Sequence, residues 1–382
     1  MVNLDGVRGQ EGSGRIQKRP LTCHARTTSM EVDGMGSDLK SALRTIEEAF
    51  GDRLKHEVPW DGRSGDDASL FVQPRNAGEV EYLAGVAARF GVPLVALGAG
   101  TARSVRAGSG SILVRFDLMR GVKVRGNDEM WVRAEPGASW LELDEALGTR
   151  GWGLAVYPTS APRATVGGWL AEDGIGVGSY RYGRTRENVL SADVVLPEGR
   201  RTVRGEELGD VIDAAGGKGI VVAATIRTRH ADHDVPFALA FPSPEDLAGA
   251  VAEVHRAYPP LWHLAFLNDA MSRARGLGDD HLLFGAYSGG GTKAVEETLG
   301  EAAASYGGRI LTPAGAYRVW GQRFFPIAPS RPAPIPADRS FVSLAEIRDI
   351  LEGRGQNTVQ GTVSRSGEVL VLDLGAAGEP AR

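Results

Sequence analysis

Two glycines one residue apart, Gly98 and Gly100, close the apolar run Val92 to Leu97 in GVPLVALGAGTARSV, residues 91–105. A glycine has no Cβ, so such a turn lets backbone N–H groups approach phosphate oxygens closely. The stretch opens like a dinucleotide fingerprint, yet the third glycine would fall at Arg103, and the SVRAGSGS that follows has loop composition. The nicotinamide-type reading therefore fails its context. Ser288 to Lys293 is glycine-rich as well, without P-loop spacing. Taken singly, each of these is equally a plain tight turn. A second stretch, residues 157–200, sets the hydroxyls of Thr159, Ser160 and Thr165 beside Gly167, Gly168 and an aromatic-glycine turn at Tyr182-Gly183. A diphosphate needs several convergent donors. Backbone N–H groups of residues 98–102 and the hydroxyls of Thr101, Ser160 and Thr165 would supply them.

The elements that must hold these turns are legible from periodicity. Ser37 and Asp38 can cap a helix with the apolar face Leu39, Ala42, Leu43, Ile46 and Phe50. Asn76 and Glu79 look like a capping box before Val80, Leu83, Val86, Ala87 and Phe90, and Gly91 stops that helix. Val92 to Leu97 reads as a buried strand; 112–116, 121–125 and 130–135 read as strands too, the last two joined across Asn127-Asp128. Ser139 and Glu142 cap a helix that ends before Gly151. NVLSADVVLPEGR reads as strand and turn, and GIVVAATIRTRH as a long strand. The texture changes near residue 232, where strand, turn and helix follow one another twice. Pro326, Pro329, Pro332, Pro334 and Pro336 make an extended connection before a last helix and two strands. The expected class is α+β.

With 382 residues, 42% of them hydrophobic and 24% charged, the chain has the composition of a soluble globular protein of two or three domains. A net charge of −5 gives no general pull toward nucleic acid, and no long uncharged apolar run points to a membrane span. Cys23 is the only cysteine, which excludes an intrachain disulfide and any cysteine-rich zinc or iron–sulfur site and points to a reducing, cytoplasmic setting. Residues 1–35 read as a flexible tail, basic through Arg8, Arg15, Lys18, Arg19 and Arg26, without the apolar core of a secretory signal. Met30 and Met35 are alternative starts.

Over residues 68–230 the motifs, in this order, resemble the PCMH-type FAD-binding domain of the vanillyl-alcohol oxidase family. PRNAGEV matches its opening helix, and Gly98 to Ala102 its pyrophosphate turn. Pro158 to Ser160 and Ala164 to Gly168 match the elements that follow, Tyr182 to Glu187 the Y-G-x-T-R-D turn, and Gly216 to Thr225 the last glycine element. Lys218, Trp169 and Glu172-Asp173 depart from the small, apolar or amide residues usual there. The resemblance implies a two-subdomain FAD-binding domain over 36–231 and a small α+β cap over 232–340. A segment 341–382 would complete the cap or return to the first domain. It implies FAD contacts at Gly98, Ala99, Gly100, Thr101, Ala102, Thr159, Ser160, Thr165, Gly168, Glu172, Asp173, Gly174, Ile175 and Ile220. The first turn has Thr101, Ala102 and Arg103 where some members carry the linking histidine, so the FAD is expected to be non-covalent.

The same resemblance, to FAD-binding subunits of glycolate oxidase and related lactate dehydrogenases, implies oxidation of a small 2-hydroxy acid. Hydride would go to flavin N5, and electrons onward to a quinone, a dye or an iron–sulfur partner subunit. His263 and His281 are candidate bases, and Arg318 and Arg323 candidate clamps for a carboxylate; ordinary strand-edge histidines and solvated arginines are the plainer alternatives. Tyr317, Trp320 and Phe324 would share one helix face with these arginines, and Tyr180 and Tyr182 could line the flavin pocket or be core. Thr362 and Arg365-Ser366-Gly367 stand where hydroxy-acid members carry metal ligands, and only His230 and His233 have ligand-like spacing, so no metal site is expected. An electron-transfer or structural subunit with catalysis on another chain, a sugar or lactone oxidase, and a nucleotide-sugar reductase are the other readings. Oligomerisation and peripheral membrane association through a partner stay open.

Overall fold

The computed structural model describes residues 32–57, 69–99, 110–125, 130–212, 218–231, 234–289, 292–325 and 338–376. The basic tail, residues 100–109 with Gly100, Thr101 and Ala102, and the proline-rich connection lie outside the described residues.

The first sheet is small. Helix α1 (Val32–Phe50) begins ahead of Ser37, so Ser37 and Asp38 lie inside it and do not cap it. Strands β1 (Leu54–Glu57) and β2 (Ser69–Val72), helix α2 (Ala77–Phe90), and strands β3 (Leu94–Leu97) and β4 (Ile112–Arg115) follow. Strands β2, β4 and β3 are parallel neighbours in that order, and β1 runs antiparallel on the edge of β2. Asn76 caps α2 by accepting from the Glu79 N–H, and Gly91, at φ 64°, ends it. The Glu79 carboxylate does not complete a capping box; it accepts from the Arg75 N–H and pairs with Arg53. Strand β3 starts later than the apolar run because the Val92 N–H closes α2 on Ala87, and Pro93 has no N–H to give.

The second sheet is antiparallel. It is built from β5 (Val122–Arg125), β6 (Trp131–Ala134), α3 (Trp140–Gly148), β7 (Trp152–Leu154), α4 (Val166–Leu170), α5 (Ser179–Tyr182), β8 (Val189–Leu196), β9 (Gly199–Val203), α6 (Leu208–Val211) and β10 (Ile220–His230). The strand order is β5-β6-β10-β8-β9, with β7 on the far end of β10. Ser139 and Glu142 form the full capping box of α3. Val80 and Leu83 of α2 share one apolar cluster with Val195, Ile220 and Val222, which joins the first two sheets.

The third sheet and its helices comprise the described elements from residue 234 on. Its parts are β11 (Asp234–Phe241), α7 (Pro244–Ala257), β12 (Leu261–Leu267), α8 (Asp269–Ala274), β13 (His281–Ser288), α9 (Thr292–Ser305), β14 (Arg309–Ile310), α10 (Pro313–Gly321), β15 (Asp338–Ser343), α11 (Ile347–Gly353), β16 (Asn357–Val363) and β17 (Glu368–Ala376). The order β14-β11-β13-β12-β16-β17-β15 places the C-terminal strands beside the earlier ones. Period-2 alternation gives each strand two buried faces. Phe237, Leu239, Leu264, Phe266 and Val371 face α7, α9 and α11. Ala238, Ala240, Ala265, Leu370 and Leu372 share the opposite, inner face with Met271 of α8, Val319 of α10, and Ile175 from the glycine-rich stretch. Among the described residues no helix is long and apolar enough to cross a membrane.

Candidate cofactor and substrate site

The two glycine motifs meet. A Cβ added to Gly98 would lie 2.8 Å from Thr165 Oγ1 and 3.1 Å from Gly168 Cα. Only glycine allows the end of β3 to come so near the start of α4. Beside this contact lies a cavity of about 570 Å³, bordered by Gly98, Ala99, Gly137, Ser139, Arg163 and Thr165 and by Arg115 and Arg120 with their acids. Thr165 Oγ1 is buried there without a hydrogen-bond partner among the described residues. An orphaned hydroxyl beside a glycine cradle is what a bound polar group would satisfy. Ser160 closes the turn leading in, its carbonyl accepting from the N–H groups of Arg163 and Ala164. Ile220 is buried at the start of β10 in the cluster joining the two sheets.

The stretch after α4 is pinned mainly by its own chain. Asp173 is buried with a left-handed backbone (φ 43°), and its carboxylate accepts from the Arg186 N–H at 2.8 Å. The Gly174 carbonyl accepts from the Thr185 hydroxyl at 2.9 Å. A Cβ on Gly174 would strike Trp169 Nε1 at 2.2 Å, so Trp169 occupies the space beside it. Glu172 does not stay with the glycines: it pairs with Arg339 of β15 at 2.5 Å. Arg184 pairs in the same way with Glu368 of β17. Tyr180 is core, stacked on Tyr258 with its hydroxyl toward the Val254 carbonyl, while Tyr182 is half-buried against the second sheet's core.

The four catalytic candidates do not come together. His263 of β12 stands opposite Ala286, five residues along β13 from His281, which is about 17 Å at the usual strand rise. His263 is wholly buried on the inner face, and its Nδ1 accepts from the Gly178 N–H at 3.4 Å. Burial, with a smaller contribution from Arg323, pushes its pKa down to about 3. A neutral imidazole that accepts at Nδ1 carries its proton on Nε2, and Nε2 is buried without a partner. His263 is thereby a hydrogen-bond donor and not a ready base. His281 accepts from the Asp269 N–H at 3.2 Å, away from the glycine-rich stretch. Arg318 is exposed and donates to the Gly276 carbonyl, and Tyr317 points to solvent, whereas Trp320 and Phe324 pack inward. Arg323, like His263, reaches the second sheet's unit, donating through Nε to the Tyr157 hydroxyl at 3.1 Å.

Sequence reasoning missed what positions Arg323. Three successive carbonyls are held by buried side chains: Arg275 donates to those of Gln322 and Phe324, and Gln360 donates to that of Arg323 at 3.1 Å. Arg275 also donates to Gln360 Oε1 at 2.7 Å, and the Phe325 N–H reaches the Thr159 carbonyl at 2.6 Å. Arg275 has no carboxylate partner among the described residues, and burial draws its pKa down to about 9. Asp144 was also missed. It is a half-buried carboxylate whose pKa is raised by desolvation, within electrostatic reach of Arg323 and Arg229. Neither residue has a sequence signal: Asp144 lies on an ordinary amphipathic helix, and Arg275 just past the end of the short α8.

Residues 68–204 match the family model for the FAD binding domain. Over these residues the chain carries an FAD-binding domain, and its fold is shared with a solved protein. Solved alkyldihydroxyacetonephosphate synthase has this fold with a TM-score of 0.68 at 16% identity, over 87% of this chain and 80% of that one. The mitochondrial D-lactate dehydrogenase [cytochrome] of Arabidopsis thaliana is 29% identical over 272 residues, 65% of this chain and 48% of that protein. The D-lactate dehydrogenase of Archaeoglobus fulgidus is 29% identical over 50% of this chain and 46% of its own length. Glycolate oxidase subunit GlcD of Bacillus subtilis is 26% identical over 34% of this chain and 28% of its own length. The chain spans less than half the length of these curated relatives. FAD fits the site: the cavity beside the Gly98–Gly168 contact has room for a diphosphate, and Thr165 Oγ1, without a partner among the described residues, offers it a hydroxyl.

Proposed function

We propose that the protein is an FAD-dependent oxidoreductase that dehydrogenates a small 2-hydroxy acid of the lactate or glycolate type. FAD, bound without a covalent link beside the Gly98–Thr165–Gly168 cradle, would supply the two-electron acceptor for oxidation of the 2-hydroxy acid to a 2-oxo acid. Electrons would then pass to a quinone, a dye or a partner protein. The observation that carries this reading is the Gly98–Thr165–Gly168 cradle inside a matched FAD-binding domain. The names of the relatives, D-lactate dehydrogenase and glycolate oxidase, support the substrate class. The substrate side is the inner face of the third sheet, which Ile175 joins to the flavin-binding stretch. There Arg323 supplies a cation for the acid's carboxylate, and the His263 Nε2–H a neutral donor.

The test is an anaerobic visible spectrum of the purified full chain before and after D-lactate, L-lactate and glycolate in turn. One acid should bleach the flavin band. Bands that persist with every acid but bleach with dithionite would overturn the substrate class. A protein that shows no flavin band, even after incubation with FAD, would overturn the cofactor site.

A further inference from the structure

The cavity beside the glycine cradle is lined by three cations, and they are not equivalent. Arg115 engages Asp117 through two nitrogens, at 3.0 and 3.2 Å. Arg120 is paired with Glu142, which also caps α3. Arg163 is exposed, lines the same cavity, and has no acid partner among the described residues. Its backbone is fixed all the same: its N–H closes a turn on the Ser160 carbonyl at 2.9 Å, two residues before Thr165. A cation held on a rigid turn loses less entropy on pairing than one on a free loop. A second observation points to the same ligand. The buried Thr165 hydroxyl in this cavity has no partner among the described residues, so a donor and a cation both face an acceptor-rich group there.

From this geometry we infer that Arg163 is the counter-ion of the FAD diphosphate, a charge-specific contact added to the backbone cradle. The diphosphate brings two negative charges to a place where the other two arginines are already neutralised by their own acids. A guanidinium matches phosphate oxygens in a bidentate way. Being exposed, the pair is screened by salt, so cofactor retention depends on ionic strength. A charged hydrogen-bonded pair of this kind is worth about ten-fold in affinity.

The experiment is serial dilution of the full-length holoprotein, with FAD fluorescence reporting cofactor release, at low and high salt, for wild type, Arg163→Gln and Arg163→Lys. Thermal melting with saturating FAD checks the fold of each. Arg163→Gln should release FAD at about ten-fold higher concentration and lose most of the salt dependence, and Arg163→Lys should keep most of both. Equal FAD retention in Arg163→Gln and wild type would overturn the inference. So would weaker retention in Arg163→Gln with the wild-type salt dependence intact, since that marks a structural effect and not a lost charge.

Discussion

At the scale of single residues, Thr165 separates the folded chain from its loaded form. Its hydroxyl is buried without a partner and makes no capping bond. An unsatisfied buried hydroxyl costs about 1–3 kcal/mol, so Thr165→Val should raise the melting temperature of the FAD-free protein. The same change removes a donor to the diphosphate and should weaken FAD retention about ten-fold. Melting curves with and without FAD read both effects, and a rise in melting temperature on adding FAD as large in Thr165→Val as in wild type would refute the assignment. His263 gives a pH prediction. Its folded pKa, about 3, lies below the usual histidine value because of burial. The unfolded chain therefore binds the extra proton first. Stability from this residue is complete above about pH 6.5 and is lost as pH falls toward 3, by on the order of 4 kcal/mol. Nitrogen-15 NMR should find the ring neutral, with the proton on Nε2, from pH 5 to 8. A titration near pH 6.5 would contradict the buried, donor-only state.

Between residues and the whole lies the short piece 322–325, which has no regular secondary structure of its own. It is held by Arg275 of the α8 turn, by Gln360 of β16, and by the Thr159 carbonyl. Arg275→Met removes a buried, unpaired charge, which relieves desolvation, but it also strands the carbonyls of Gln322 and Phe324 and one oxygen of Gln360. Three orphaned acceptors outweigh the relief, and the expected loss is about 2 kcal/mol in denaturant unfolding. Because the piece carries Arg323, the variant should raise KM for the acid more than it lowers kcat. An unchanged KM would detach Arg323 from substrate binding. The helices show the same dependence on context. Helix α1 runs past its apparent Ser37 cap, whereas α2 and α3 start where Asn76 and Ser139 accept their N–H groups.

Over the whole molecule, the question is how the third sheet is tied to the first two. Arg229 at the end of β10 is buried, pairs with Asp234 of β11 at 2.5 Å, and donates to the Leu154 carbonyl at 3.2 Å. Its guanidinium also lies 3.6 Å from the ring centre of Trp262. At the other margin, Glu172–Arg339 and Arg184–Glu368 bridge the flavin-side stretch to β15 and β17. Those two pairs are partly exposed and worth little each, so the buried Arg229 should dominate. Arg229→Met is expected to cost about 3 kcal/mol and to split one calorimetric transition into two, as the sheets melt separately. A single, merely shifted transition would show that the apolar contacts of Trp262 and Trp320 suffice.

The sequence by itself determined the elements and the chemical class of the ligand. Periodicity placed α2, α3 and the long strand β10, since local capping and alternation follow from backbone geometry alone. The glycines at 98 and 100 announced a phosphate turn, because a residue without a Cβ lets backbone N–H groups approach phosphate oxygens closely. Which residues meet was a tertiary matter. His263 and His281 look alike in sequence, yet strand register puts one under Gly178 and the other beside Asp269. Arg318 and Arg323 are five residues apart, and only the end of α10 at Gly321 turns the second toward Tyr157. Glu172 sits among cofactor motifs but is captured by Arg339, because β15 returns to the edge of the third sheet. Pairings across such distances in sequence leave no local pattern. They are fixed when burial of the apolar faces selects one packing of the three sheets.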